Sequence, residues 1–195
     1  MHDLTSWMSA DFSPDKRLVF IGGEIDSSAS ERAVKALLWL ESEGDDPIHV
    51  YLNSEGGDWY EGFAIYDAIR ACKSTVTITA TGYCMSMASI ILQAGDERLL
   101  TPECTVMIHD ATIQVAGKSE DAKRWADHHE AGRDRMYAIY HEAMRSKNKR
   151  LTLAKVRKTC ATESIYTAKE AVRAGLADRM TRPAAGGRTQ PEKAM

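Results

Sequence analysis

A serine set among small and polarisable residues, Gly82-Tyr83-Cys84-Met85-Ser86-Met87-Ala88-Ser89, follows a diglycine turn, Asn53-Ser54-Glu55-Gly56-Gly57. It precedes a histidine that closes an apolar run, Val106-Met107-Ile108-His109. In this order the three pieces supply a nucleophile, a general base and backbone able to hold an oxyanion, the parts of a serine hydrolase. Ser86 falls where a β-branched run gives way to a helical pattern. The N–H of Met87, unpaired within the helix it opens, can face an oxyanion there. This is the logic of a nucleophile elbow, although G-x-S-x-G itself is absent. Gly56-Gly57 brings bare backbone close to a substrate carbonyl, with the Gly57 N–H as a second donor. His109 closes a strand pattern, from which its ring could reach across to Ser86. Each piece also has a plainer reading: a helix-capping serine, a tight turn, a structural histidine.

The remaining histidines offer less. His2 lies in the terminal segment, and His49 and His141 have no obvious chemical neighbour. His128 and His129 are adjacent on a helical pattern, so they point about 100° apart and cannot form an i, i+4 metal pair. Zinc-ligand spacings are absent, and no metal or cofactor is expected. Cys72, Cys84, Cys104 and Cys160 are scattered without a CxxC pair, which fits reduced thiols in a cytoplasmic protein.

The elements that must position these residues alternate between strand and helix, as in an α/β domain. Residues 18–21 read as a strand ending at Gly22-Gly23. A helix capped by Ser27 or Ser28 follows, with an apolar face of Ala33, Ala36, Leu37 and Leu40, stopped by Gly44 and Pro47. Residues 48–52 form a strand breaking at Asn53, and a helix after Gly57 buries Phe63, Ile65, Tyr66 and Ile69. Residues 75–81 are a strand, Gly82 lets the chain bend, and a helix runs from Ser86 to Gly95. Residues 98–101 and 105–109 are short strands. From Gly117 the character changes: 119–147 is a long charged helix with an apolar stripe at Ala122, Trp125, Ala126, Met136, Tyr140 and Met144. Helices over 153–159 and 167–174 and a last strand over 178–180 complete one domain, 17–181. A short segment, 1–16, precedes it, and a polar tail, 182–195, is expected to be disordered.

With 195 residues, 44% hydrophobic, the chain can bury a single core. A net charge of −3 without a basic stripe gives no reason to expect nucleic acid. No apolar run reaches the roughly 18 residues that a membrane span requires. The opening residues have no apolar core and do not read as a secretory signal.

The chain resembles the proteolytic subunits of the Clp protease family, within the larger ClpP/crotonase superfamily. The stretches that carry the resemblance are Leu18-Val-Phe-Ile-Gly-Gly-Glu-Ile-Asp26, Tyr51-Leu-Asn-Ser-Glu-Gly-Gly57, Ala64-Ile-Tyr-Asp67, the Ser86 segment, Ala94-Gly95, Val106-Met-Ile-His109 and Thr167-Ala-Lys-Glu-Ala-Val-Arg-Ala-Gly-Leu-Ala-Asp178. The resemblance implies an α/β fold with a repeated β-β-α spiral core and a protruding handle, about 113–147, made of a strand and the long helix. It implies Ser86 as nucleophile, His109 as general base, and the backbone N–H groups of Gly57 and Met87 as the oxyanion hole. The family's third member is an Asp shortly before the closing motif; Glu163 stands at that position here. It is one methylene longer, so its loop must shift to hold the imidazole. Asp110 is a poorer substitute, since neighbours on a strand point to opposite faces. The family usually has Pro at Glu55 and Gly at Ala88, and the stretch from Ser86 to His109 is shorter here.

The resemblance further implies a homo-oligomer of heptameric rings, stacked in pairs as a tetradecamer through the handles. Its substrates would be peptides or unfolded proteins, and an ATP-dependent unfoldase is a candidate partner. Family members that dock such an ATPase carry a longer N-terminal segment, whereas this chain reaches its first strand within about 17 residues. That reads against the ATPase partner more than against the peptidase chemistry. Two other readings stay open: a non-catalytic ring or scaffold subunit, and a crotonase-type acyl-CoA enzyme, which would use carboxylates rather than a Ser/His pair.

Overall fold

The computed structural model describes residues 11–110 and 118–182. After the two-residue β1 (Phe12–Ser13), buried β-branched and leucine-rich runs build β2 (Leu18–Ile25), β3 (Ile48–Gly57) and β4 (Val76–Met85). Shorter strands follow as β5 (Glu97–Leu100), β6 (Thr105–Ile108), β7 (Ser164–Thr167) and β8 (Arg179–Met180). The helices are α1 (Ser27–Ser42), α2 (Trp59–Ala71), α3 (Met87–Leu92), α4 (Ser119–Arg145), α5 (Leu153–Cys160) and α6 (Ala168–Ala174). Most starts carry their own side-chain acceptor. Asp26 caps Ala29, Asp58 caps Tyr60 and Glu61, and Thr167 forms a capping box with Glu170.

The strands form one mostly parallel sheet in the order β1-β2-β3-β4-β5-β8. β4 is shared lengthwise. Its first half, Thr77 to Ala80, pairs with β5, and its last residues, Tyr83 to Met85, pair with β6. β7 then lies antiparallel on β6, with Ile108 opposite Ser164. The β4/β6 junction therefore delivers two strand ends to one place, residue 86 from β4 and residue 109 from β6. Ile21, Val50, Leu52, Ile65, Ile78, Ile90, Ile91, Leu100, Val106 and Tyr140 are among the side chains sealed inside. No helix among the described residues is long and apolar enough to cross a membrane.

The α/β alternation expected from sequence is observed, with differences at element ends. Gly22-Gly23, Asn53 and Gly82 were expected to end or bend strands, yet all lie inside them. The β2/β3 register shifts between Gly22 and Glu24, and the β3/β4 register shifts between Leu52 and Ser54. These residues mark bulges, which a strand tolerates, rather than stops. β1 lies within the stretch read as a segment preceding the domain. Phe12 packs against Trp39, with ring centroids 5.9 Å apart. β7 was not anticipated: its side chains alternate between half-buried and exposed, but the four residues Ser-Ile-Tyr-Thr do not alternate between polar and apolar types. The stripe on α4 divides. Met136, Tyr140 and Met144 are buried, whereas Trp125 is 52% exposed and Ala126 is exposed. The handle strand expected near 113 and the tail from 183 lie outside the described residues.

His49 on β3 bonds Thr79 Oγ1 at 2.8 Å and stacks on Tyr51. Burial lowers its pKa from 6.5, and the charge of Glu97 opposes this only in part. A depressed histidine contributes stability that is whole above about 6.5 and is lost as pH falls toward the folded value. Melting temperature is accordingly expected to drop more between pH 7.5 and 5.5 in the wild type than in His49→Gln. Equal drops in scanning calorimetry would refute this.

Candidate active site

Ser86 occupies the single residue between β4 and α3, with φ 51° and ψ −124°. A side chain at positive φ is costly, of order 1–3 kcal/mol, and survives only where its surroundings hold it. They do so from both sides. The Ser86 N–H donates to the Met107 carbonyl on β6 at 2.9 Å, and the Ser86 carbonyl accepts from the Ser89 hydroxyl at 2.6 Å. The turn pushes the Ser86 side chain off the strand toward the end of β6. His109, just past that end, meets it: Nε2 and Oγ are 2.7 Å apart. In the tautomer with its proton on Nδ1, Nε2 accepts from the serine hydroxyl, the arrangement needed to take that proton.

The diglycine closes over the same turn. A Cβ at Gly56 would sit 2.7 Å from Ser86 Cβ, 2.8 Å from the Met85 carbonyl oxygen and 2.9 Å from the Met87 nitrogen. Only bare backbone fits there, and φ is +99°. The Gly56 N–H is taken by Ser54 Oγ at 3.0 Å, and the Asp58 N–H by the Ile25 carbonyl at 2.7 Å. The ladder to β4 ends at Ser54, short of Gly57, whose register partner is Ile25 on β2. Met87 opens α3, where an N–H has no acceptor within its own helix. Its side chain is locked against α2, filling the space that a Cβ on Gly62 would need, 2.1 Å from Met87 Cγ. Glu55 is exposed.

Glu163 is exposed in the link between α5 and β7, and no hydrogen bond joins it to His109 among the described residues. The chain thus brings Ser86 and His109 together and leaves Glu163 apart. Asp110 is engaged elsewhere: its carboxylate accepts from the Tyr137 hydroxyl, and its N–H donates to the Cys160 carbonyl at 2.7 Å. Sequence reasoning missed the parts played by Ser89 and Tyr137. A lone serine inside the apolar run Met87-Ala-Ser-Ile-Ile-Leu92 was the available signal for Ser89; Tyr137 lies one position off the α4 stripe and gave none.

The cysteines do not compete as nucleophiles. All four are unpaired. Burial pushes the Cys84 thiol well above 9, Cys160 to about 12, and Cys72 and Cys104 to about 11, so thiolate is scarce. Among the described residues no group of three or more His, Cys, Asp and Glu side chains is placed to hold a metal.

A family model described as Clp protease matches residues 8–184. The ATP-dependent Clp protease proteolytic subunit of Deinococcus radiodurans is 32% identical over 177 residues, covering 88% of this chain and 84% of that protein. The split β4 strand, the serine turn and the histidine facing it all lie inside the matched span, and the chain belongs to the Clp protease family.

Proposed function

We propose that the protein is a serine endopeptidase that hydrolyses peptides or unfolded proteins with Ser86 as nucleophile and His109 as general base. The observation that carries this reading is the 2.7 Å contact between Ser86 Oγ and His109 Nε2, made at a backbone turn held at positive φ. Ser86 Oγ attacks the scissile carbonyl carbon as its proton passes to Nε2. The carbonyl oxygen, now negative, takes the N–H groups of Gly57 and Met87. The tetrahedral intermediate collapses as His109 returns the proton to the leaving amine. Water, activated by the same nitrogen, then hydrolyses the ester on Ser86.

Glu163 is the orienting acid in this reading. The antiparallel β6/β7 register ends with Ile108 opposite Ser164, and that register continued by one residue would bring 163 opposite 109. Directly opposed residues have Cβ atoms about 4.5–5.5 Å apart, within a glutamate's reach of Nδ1. The carboxylate swings in from solvent, fixes the tautomer and stabilises the imidazolium. Asp110, bound to Tyr137, is not free to do this.

The active assembly is a pair of stacked heptameric rings joined through the exposed half of α4, where Trp125 lies beside Tyr60, His128 and Asp121. The relative's name carries ATP dependence, and an unfoldase feeding the stacked rings is the matching partner. A cytoplasmic setting fits the unpaired thiols.

Turnover of a fluorogenic peptide tests the chemistry. Ser86→Ala and His109→Ala are expected to lose about 10⁴-fold or more in kcat. Glu163→Gln should lose about 10⁴-fold in kcat, the cost of the wrong imidazole tautomer, with KM little changed. Unchanged turnover in Ser86→Ala would sink the reading; an inert wild type would favour the ring scaffold; an unaffected Glu163→Gln would move the acid elsewhere. Gly56→Ala must displace the serine turn or the Met87 N–H, so kcat is expected to fall at least about 100-fold. A kcat for this variant within threefold of wild type would rule out the close approach inferred at Gly56.

A further inference from the structure

Two tyrosines one turn apart on α4 reach opposite halves of the site. Tyr140 is fully buried, and its hydroxyl lies 2.7 Å from Ser89 Oγ, which is itself fully buried. The direction of the bonds follows from counting hydrogens. Ser89 has one hydroxyl hydrogen, and its 2.6 Å contact with the Ser86 carbonyl, which can only accept, uses it. The Tyr140 hydroxyl must then be the donor to Ser89 Oγ. Burial pushes the phenol pKa up, so that proton is present at any working pH. The result is a chain of two bonds, Tyr140 O–H to Ser89 O–H to the Ser86 carbonyl, in which each bond polarises the next.

Tyr137, 5% exposed, treats the other half similarly. Its hydroxyl donates to the carboxylate of Asp110, the residue after His109. Burial, then the bond and charge of Asp110, raise this phenol too. Around the pair, the Arg157 guanidinium lies 5.5 Å over the Tyr137 ring and bonds Asp134 at 2.8 Å. The backbone at Asp110 is also pinned through its N–H to the Cys160 carbonyl. Each hydroxyl is spent on a residue next to, or bonded to, one member of the reacting pair.

We propose that Tyr137 and Tyr140 are positioning residues for the Ser86–His109 pair, α4 holding the serine turn through Ser89 and the histidine through Asp110. This rests on the peptidase reading above. The hydroxyls touch neither substrate nor reacting atoms; they fix the separation and angle between nucleophile and base, on which proton transfer depends.

Peptide turnover by the full-length chain, with kcat and KM resolved, tests this. Tyr140→Phe and Tyr137→Phe are each expected to lower kcat about tenfold with KM within twofold, the loss of one hydrogen bond acting on the chemical step. Ser89→Ala removes the relay from the other side. It should cost at least as much as Tyr140→Phe, and combining the two should cost no more than Ser89→Ala alone. Should Tyr140→Phe fail to fold, Ser89→Ala still decides the Tyr140 arm. Folded variants with wild-type kcat overturn the proposal. So does a loss that appears in KM alone, or a Ser89→Ala/Tyr140→Phe pair whose losses simply multiply. A wild type with no turnover defeats the peptidase reading and this proposal with it; a turning-over wild type with unaffected variants defeats this proposal alone.

Discussion

The backbone of Ser86 is the constraint on which the rest of the site depends. A non-glycine residue at φ 51° is unstable by itself, and the chain holds it with a bond from its N–H to Met107, a bond to its carbonyl from Ser89, and the bare backbone of Gly56 pressed over it. Each restraint comes from a different element: β6, α3 and β3. The strain is therefore affordable only in the complete fold. Its consequence is directional: at an ordinary strand geometry the hydroxyl would follow the alternation of β4, whereas here it leaves the sheet and meets His109.

The sharing of β4 between β5 and β6 gives that turn its partner. Because the last three residues of β4 pair in parallel with β6, the ends of both strands advance side by side. A nucleophile after one and a base after the other are then adjacent without any long loop. α4 secures the junction from behind. Its C-terminal half packs Met136, Tyr140 and Met144 into the core, while its N-terminal half carries exposed Trp125 away from it. One helix thus serves the interior at one end and an open surface at the other.

Much of this was legible in the sequence. The order of Ser86, His109 and the diglycine could be read from residue type, because each follows a strand pattern, although β3 and β4 run to ten residues each, past the boundaries expected at Asn53 and Gly82. Glycine misled where it sat inside strands. Gly22 and Gly23 look like stops and Gly82 like a bend after a strand, and only cross-strand pairing shows all three within continuing strands. The apolar stripe of α4 looked continuous, since Trp125 and Met136 are equally apolar; which of them is covered depends on where the helix leaves the core. The tyrosine hydroxyls were invisible for a related reason. Tyr140 reads as an apolar stripe residue, but the partner of its hydroxyl, Ser89, lies 51 positions away. Glu163 was legible only by resemblance; it stands just before β7, a strand too short to be anticipated, whose pairing with β6 ends at Ile108 and Ser164.

The most direct test of the account is whether Ser86 is an activated nucleophile. Purified protein would be treated with a fluorophosphonate, digested, and the adduct located by mass spectrometry. The account predicts one modified site, Ser86, with labelling greatly slowed in His109→Ala. A folded wild type that takes up no phosphonate, or takes it up at another serine while Ser86 stays unmodified, would contradict it.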